Sequence, residues 1–280
     1  MIVDSHCHLH DAAFSDVRTA LSRALESDVW GVVAVGCDPR SNERTLETVS
    51  ANGKAVWPAL GFHPEWAHLT DEDLARVEAQ VIANHSRLVA LGEVGLPWYN
   101  LVRAADAASL MARGRARLGR LLALATRFDL PAVVHAPHGA AVGALEALKA
   151  AGVERAVFHW HKAPREVTRA ILDAGYLVSV TPEVVYRQRD RELVEWVPLD
   201  SLLVERSSRP SPPGPGSPRA WPRRWPRSSD CPSRTPCTGS PSIPASSSTS
   251  SGPRPPLRRA RSLRWLCRSS PPPPLASGPA

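Results

Sequence analysis

Residue types that bind metal ions follow apolar runs at several points along the chain. His6 and His8 are separated by one residue in Asp4-Ser5-His6-Cys7-His8. Alternate residues of a strand point to the same side, so a strand here would turn both imidazoles toward one centre. Further residues of this kind each follow a separate valine- or leucine-rich run: His63, Glu93, His135 and His159. Imidazoles with a carboxylate form a mixed nitrogen and oxygen set, which favours zinc or manganese over magnesium.

Each of these motifs also has an ordinary structural explanation. A single His-x-His pair in a strand is more often hydrogen-bonded or exposed than metal-bound, and Gly92-Glu93-Val94-Gly95 alone is compatible with a simple turn. His10, His68, His85 and His138 do not follow such runs, and we expect them to be solvated or to form local hydrogen bonds. The combination favours a metal site, because chance rarely places a ligand-type residue at the end of successive strands.

The elements that must position these residues are short apolar runs alternating with helix-period segments. The runs are Ile2–Val3, Gly31–Cys37, Ala55–Leu60, Leu88–Leu91, Ala132–Val134, Ala156–Phe158, Leu177–Val180 and Leu202–Val204. Between them, Thr70 with Asp73 predicts a helix start, and Pro164 is placed for the first turn of a helix through Leu172. The alternation predicts an α/β fold with a parallel sheet. Eight units favour a closed TIM (β/α)8 barrel over an open doubly wound sheet. In such a barrel the carboxyl ends of all strands meet on one face.

Residues 2–205 carry a resemblance in the ordered set DSHCHL, GFHP, GEVGL, VVHAPHG and FHWH. This part of the chain resembles the TatD family of metal-dependent deoxyribonucleases. The resemblance implies a TIM barrel that hydrolyses phosphodiester bonds in DNA with two divalent metal ions (zinc, manganese or magnesium). It implies that the first metal is held by His6 and His8, that Glu93 is catalytic and bridges both ions, that the second is held by His135 and His159, and that His63 meets the substrate phosphate.

The charge is divided unevenly along the chain. The net charge of the 280 residues is +7, but residues 1–205 hold 21 Lys and Arg against 26 Asp and Glu, giving 21 − 26 = −5. Residues 206–280 hold 13 Arg and one acid, giving 13 − 1 = +12. This division excludes a uniformly basic DNA-binding domain, and bound metal would have to supply the local positive charge of the acidic part.

Two groups of arginines are candidates for phosphate contacts. The first group is favoured to form an ordinary solvated helix face: Arg113, Arg115, Arg117 and Arg120. The second group either lines the site or pairs with Asp190 and Glu192, and the sequence does not separate these alternatives: Arg187, Arg189 and Arg191.

The resemblance ends after Glu205. Family members continue the eighth strand into a segment containing a metal-binding Asp, expected near position 207, where this chain has Ser207. In residues 206–280, Pro, Ser and Arg supply 50 of 75 residues, which predicts a disordered tail without the terminal barrel helix. The favoured explanation is a reading-frame slip in GC-rich DNA after residue 205. The alternative is a natural basic tail that contacts nucleic acid through its arginines and three tryptophans.

We therefore expect a C-terminally incomplete barrel over residues 1–205, with weak metal retention and little nuclease activity. Two other functions stay open: an amidohydrolase acting on a C–N or lactone bond, and non-catalytic nucleic-acid binding through the tail. Apolar stretches are too short to cross a bilayer, the N-terminus lacks signal-peptide features, and Cys7 and Cys37 are predicted to be buried thiols. These features predict a cytoplasmic protein without membrane contact. The resemblance implies DNA as the substrate, and a monomer is favoured.

Overall fold

The computed structural model describes residues 2–205, in which eight strands alternate with seven α-helices. The strands are β1 (Ile2–Cys7), β2 (Val29–Val35), β3 (Val56–Leu60), β4 (Ala90–Gly95), β5 (Ala132–His135), β6 (Ala156–Phe158), β7 (Leu177–Val180) and β8 (Leu202–Val204). The helices are α1 (Val17–Glu26), α2 (Pro39–Asn52), α3 (Asp71–Asn84), α4 (Ala107–Arg127), α5 (Ala140–Ala150), α6 (Arg165–Asp173) and α7 (Gln188–Trp196). Short 3-10 turns occupy Gly53–Ala55, Leu101–Arg103, Pro182–Val185 and Leu199–Ser201.

The strands form one parallel sheet in sequence order. Each strand from β1 to β7 pairs with the next one along the chain. The sheet curves until its two edges meet. At this junction the Ser5 hydroxyl of β1 donates a hydrogen bond of 3.0 Å to the Val204 carbonyl of β8. The predicted TIM barrel is therefore confirmed as a nearly closed eight-stranded barrel.

Local sequence signals account for several helix starts. Thr70 and Asp73 form the predicted reciprocal capping box at the start of α3, which satisfies amide groups that have no partner within the helix. A second capping box joins Asp38 and Ser41 at the start of α2. Pro164 occupies the N-cap of α6, one position before the first turn where the sequence placed it.

Three strands end later than the apolar pattern predicts. β1 continues through His6 to Cys7, β4 continues through Glu93 to Gly95, and β5 includes His135. The ladder persists because Cys7 pairs in register with Ala34, and Gly95 pairs with His135. His6 and Glu93 therefore belong to the barrel wall, whereas the sequence placed Glu93 after its strand.

The barrel interior is filled by small and branched side chains, as in a packed core rather than a pore. One buried cluster contains residues from six different strands: Val33, Val35, Ala59, Ala90, Val133, Val157 and Leu203. A larger cluster lies between the sheet and the helices and includes Leu74, Leu122 and Ile171. These two layers hold the carboxyl ends of the strands in place.

Residues 206–280 lie outside the described residues, and so do the predictions of a disordered tail and a missing last helix. Within the described part, no helix combines the length and apolar character needed to span a membrane.

Candidate metal centre

Glu93 is the centre of a buried polar cluster at the carboxyl ends of the strands. Its side chain is 1% exposed and comes from β4. Five imidazole nitrogens lie within 2.7–3.2 Å of its two carboxylate oxygens, and they belong to His6, His8, His63, His135 and His159. All six residues singled out from the sequence are thus brought to one point.

The two oxygens of Glu93 face different groups of histidines. Oε2 lies 3.2 Å from Nε2 of both His6 and His8. Oε1 lies 2.7 Å from His135 Nδ1 and 2.8 Å from His159 Nε2. His63 Nε2 lies 3.1 Å from the same Oε1. The carboxylate is therefore arranged as a bridge between two sets of nitrogen donors.

The local backbone explains how the first pair converges. His6 and His8 occupy alternate positions at the end of β1, and their Nε2 atoms lie 3.0 Å apart. The other ring nitrogen of His8 lies 3.0 Å from the Val35 carbonyl oxygen, which orients this ring from β2. The predicted convergence of the His-x-His pair is therefore seen in the structure.

A glycine next to Glu93 permits close approach of two strands. A Cβ atom at position 95 would overlap the carbonyl group of His135. That carbonyl accepts a hydrogen bond of 3.1 Å from the Leu96 amide. Gly95 therefore brings the end of β4 against β5, which places Glu93 and His135 side by side.

The electrostatics favour an ionised Glu93. Burial alone would raise the pKa of this carboxyl, but His159, His63 and His6 hold it well below its ordinary value. Burial opposes charge on His159 too, yet Glu93 and Glu205 outweigh it and raise the pKa of His159 to about 9. Burial lowers the pKa of His6 to about 4 and also lowers that of His63. In the metal-free centre these shifts favour a charged His159 and neutral His6 and His63. For His8, burial is outweighed by Cys37 and Glu93, which raise its pKa well above the ordinary value.

The residues fit a divalent metal ion. Tetrahedral nitrogen ligands about 2.0–2.1 Å from zinc lie roughly 3.3 Å apart, and the His6–His8 and His135–His159 nitrogen pairs are 3.0 and 3.2 Å apart. Within the described chain, four buried ring nitrogens have no hydrogen-bond partner: His6 Nδ1, His10 Nδ1, His135 Nε2 and His161 Nδ1. Close donor groups include His6 with His8 and Glu93, and His63 with Glu93 and His135. His63, expected to meet phosphate, is thus placed among the ligand-type nitrogens.

Two residues of the centre were missed as site residues in the sequence. Glu205 follows β8 directly, and its Oε1 lies 3.3 Å from His159 Nδ1. Cys37, correctly predicted as a buried thiol, has its Sγ 3.4 Å from His8 Nδ1 and 4.0 Å from Glu93 Oε2. Burial raises the pKa of the Cys37 thiol. Both residues follow a barrel strand, so the same positional rule that identified the histidines could have found them.

Glu65 anchors a loop beside the centre. Its carboxylate accepts backbone hydrogen bonds from Trp98, Tyr99 and Asn100 at 2.5–3.0 Å. Although burial raises the pKa of Glu65, His135 and these amides lower it to about 2. The Tyr99 ring, 45% exposed, lies 6.5 Å from the His135 ring. The loop therefore forms part of the rim around the histidines.

The arginines of α4 pair with acids on neighbouring helices. Arg117 Nε lies 2.9 Å from Asp71 Oδ1, and Arg120 Nε donates to Glu78 at 2.8 Å. These pairs support the solvated helix face that the sequence favoured.

In the second arginine group, Arg189 pairs with Asp190, while Arg187 pairs with Glu183 at 2.9 Å. Of the two predicted acids, Glu192 instead accepts a hydrogen bond from Gln188.

The remaining histidines differ from one another. His85 Nδ1 lies 2.8 Å from the Ile82 carbonyl oxygen, which agrees with a local hydrogen bond. The His68 ring stacks on Trp66, and the His138 ring lies at 5.7 Å from the Trp98 ring. His10 is half-buried, and its ring lies 5.4 Å from the His8 ring. Its Nδ1 is buried without a hydrogen-bond partner in the described chain.

An eight-stranded β/α barrel with a carboxylate-bridged histidine cluster at its carboxyl face defines the class of metal-dependent barrel hydrolases. Residues 3–210 match the TatD related DNase family, and the chain belongs to this family. A human relative named Deoxyribonuclease TATDN3 is 30% identical over 216 residues, covering 74% of this chain and 77% of the relative. An uncharacterized metal-dependent hydrolase of Haemophilus influenzae is 27% identical over 208 residues, covering 74% and 81%.

Solved structures show the same architecture. The crystal structure of YJJV, a TatD homologue from Escherichia coli, has a TM-score of 0.64 and 25% identity, covering 73% of this chain and 78% of the other. A TatD family hydrolase from Entamoeba histolytica has a TM-score of 0.59 at 19% identity, covering 73% of each chain, and is similar in fold. The chain is therefore a metal-dependent hydrolase of the TatD family.

Proposed function

We propose that this chain hydrolyses phosphodiester bonds in DNA at a centre that holds two divalent metal ions. The observation that carries the proposal is the division of donors around Glu93, with His6 and His8 at one oxygen and His135 and His159 at the other. One carboxylate between two nitrogen sets suits a two-metal site. The name of the human relative, a deoxyribonuclease, supports DNA as the substrate.

Two divalent cations held in such a centre would activate water, neutralise phosphate oxygens and stabilise the leaving oxygen. Glu93 would hold both ions, with His6 and His8 as nitrogen ligands on one side and His135 and His159 on the other. The His63 side chain is 14% exposed beside Glu93. In this proposal its imidazole remains the candidate contact for the scissile phosphate.

The C-terminal quarter limits this activity. The acid expected near position 207 is replaced by Ser207, so the centre has one ligand fewer than the family pattern implies. Loss of an outer-shell partner alone costs about 10–100-fold in metal affinity or activity. We therefore propose that the chain is weakly active, and that a version with the other reading frame restored after Glu205 is at least about tenfold faster.

The test is cleavage of an end-labelled single-stranded oligonucleotide by the full chain with Mn²⁺ or Zn²⁺. Expected results are loss of cleavage with EDTA and with Glu93→Gln, and retention with Glu183→Gln, a control at another buried acid. Cleavage that survives both EDTA and Glu93→Gln would refute the proposal. Hydrolysis of an amide or lactone without DNA cleavage would favour the amidohydrolase alternative, and equal turnover by the frame-restored version would remove the role assigned to position 207.

A further inference from the structure

A carboxylate lies beside each of the two ring nitrogens of His159. Its Nε2 lies 2.8 Å from Glu93 Oε1, and its Nδ1 lies 3.3 Å from Glu205 Oε1. The Glu205 side chain is fully buried. A buried carboxylate is costly unless it is well hydrogen-bonded, so its remaining contacts show what it is built to do.

Glu205 is held in position from β7. Its backbone amide donates to the Val180 carbonyl at 3.0 Å, which extends the β8 ladder by one residue. Its second oxygen, Oε2, accepts a hydrogen bond of 2.6 Å from the Ser179 hydroxyl. Ser179 Oγ in turn accepts the Trp160 amide at 3.1 Å, so its proton is free to point at Glu205. Glu205 is thus fixed by two contacts from β7.

These contacts determine which ring nitrogen of His159 bears a proton. An ionised carboxylate only accepts hydrogen bonds, so Nδ1 of His159 must donate to Glu205. The lone pair of the neutral ring is then on Nε2, the atom that faces Glu93. The His6 ring stacks on the same imidazole with centroids 4.0 Å apart and an interplanar angle of 4°, which restrains its plane. In metal sites such a carboxylate–histidine contact sets the tautomer and ring orientation.

We propose that Glu205, held by Ser179, is a positioning residue that presents Nε2 of His159 to the metal centre, and that the end of β8 contributes through this contact rather than by direct coordination. The inference rests on the proposed metal-dependent function. His135 differs in distance, because its outer nitrogen Nε2 lies 3.8 Å from Glu65 Oε1, beyond hydrogen-bond range. Direct coordination is the competing outcome, since His6, His159 and Glu205 also place donor atoms within 4.8 Å of one another.

The experiment is calorimetric titration of the metal-free full chain with Zn²⁺, using wild type, Ser179→Ala and Glu205→Gln. Both variants are expected to bind the same number of equivalents as wild type with about 10–100-fold weaker affinity. Tyr176→Phe is the control. It removes another buried hydroxyl contact, a hydrogen bond of 2.7 Å to the Val153 carbonyl, at the amino-terminal end of β7. Its zinc affinity is expected to be unchanged.

A second readout does not need metal. Nitrogen-15 NMR of the histidine rings in the metal-free wild type, recorded above pH 9 where the His159 ring is neutral, is expected to show its proton on Nδ1, and a proton on Nε2 instead would overturn the inference. Unchanged zinc affinity in both variants would also overturn it, as would loss of a whole equivalent in Glu205→Gln, which indicates direct coordination. If wild type binds no zinc although the Nδ1 proton is present, the proposed metal-dependent function is wrong. The inference on Glu205 is then wrong too, because no metal is present to be positioned.

Discussion

Glu93→Gln separates the electrostatic role of this residue from its packing role. Glutamine has nearly the shape of glutamate, so the buried end of β4 keeps its volume. The change removes the negative charge that lies within 2.7–3.2 Å of five imidazole nitrogens. The metal-free chain also loses a buried charge that needs compensation. We therefore expect a folded variant that no longer gains stability from metal.

The magnitude follows from the position of the charge. One unit charge about 4 Å from another contributes about 4 kcal/mol at an effective dielectric constant near 20, which is roughly 1,000-fold in affinity. Wild type at 100 times its dissociation constant gains about 2.7 kcal/mol, or roughly 5–10 °C in Tm for a domain of this size. At the same metal concentration the variant gains less than about 0.1 kcal/mol.

The assay is thermal unfolding of dialysed protein with and without Zn²⁺ or Mn²⁺. Glu183→Gln is the matched control, since Glu183 is also buried but contacts Arg187 and Trp160. The control is expected to keep the wild-type shift. A full metal-induced shift in Glu93→Gln, or loss of the shift in the control, would refute the placement of the metal centre at Glu93.

Three further predictions concern pH, the core and the surface. Because burial lowers the pKa of His6 from 6.5 to about 4, the unfolded metal-free chain binds the extra proton between these values, and stability should fall by roughly 3 kcal/mol as the pH drops from 6.5 to 4. For His159, burial is outweighed by Glu93 and Glu205, which raise its pKa to about 9. Its contribution to the free energy of unfolding is therefore lost as the pH rises from 6.5 through 9. Urea unfolding measured across both pH ranges tests the two effects. Leu122→Ala empties a fully buried core position and should cost about 2–5 kcal/mol in urea unfolding. Arg120→Ala breaks a largely exposed pair and should cost less than about 1 kcal/mol with unchanged KM for DNA; a raised KM would show that α4 contacts phosphate.

The barrel could be predicted because its strands are buried on both faces. Such strands give continuous valine-rich runs, and the run Ala156–Phe158 coincides with β6. The prediction ended too early at β1, β4 and β5, where His6, Glu93 and His135 interrupt the apolar pattern. The backbone ladder continues through these residues, because strand pairing depends on main-chain groups and not on side-chain polarity.

The candidate site was predictable only to the level of position along the strands. The rule that functional groups follow barrel strands located the histidines, and it applied equally to Cys37 and Glu205. This rule does not predict which side-chain atoms contact one another. The contacts of Glu205 with Ser179 and His159 join residues that are 26 and 46 positions apart, and these depend on the closed barrel. The pairing of Arg120 with Glu78 is of the same kind.

The charge of the centre links the acidic body to its proposed substrate. With neutral imidazoles, Glu93 and Glu205 give the site −2, and the raised pKa values of His159 and His8 offset this charge in the metal-free site. Two divalent cations would add +4, and 4 − 2 leaves +2, so bound metal would give the site a net positive charge that attracts phosphate. An acid at position 207 would have reduced this to +1. We therefore expect the present chain, with Ser207, to retain metal-dependent affinity for DNA while its turnover is low. Oligonucleotide binding measured with and without Mn²⁺ tests this, and equal binding in both conditions would contradict it.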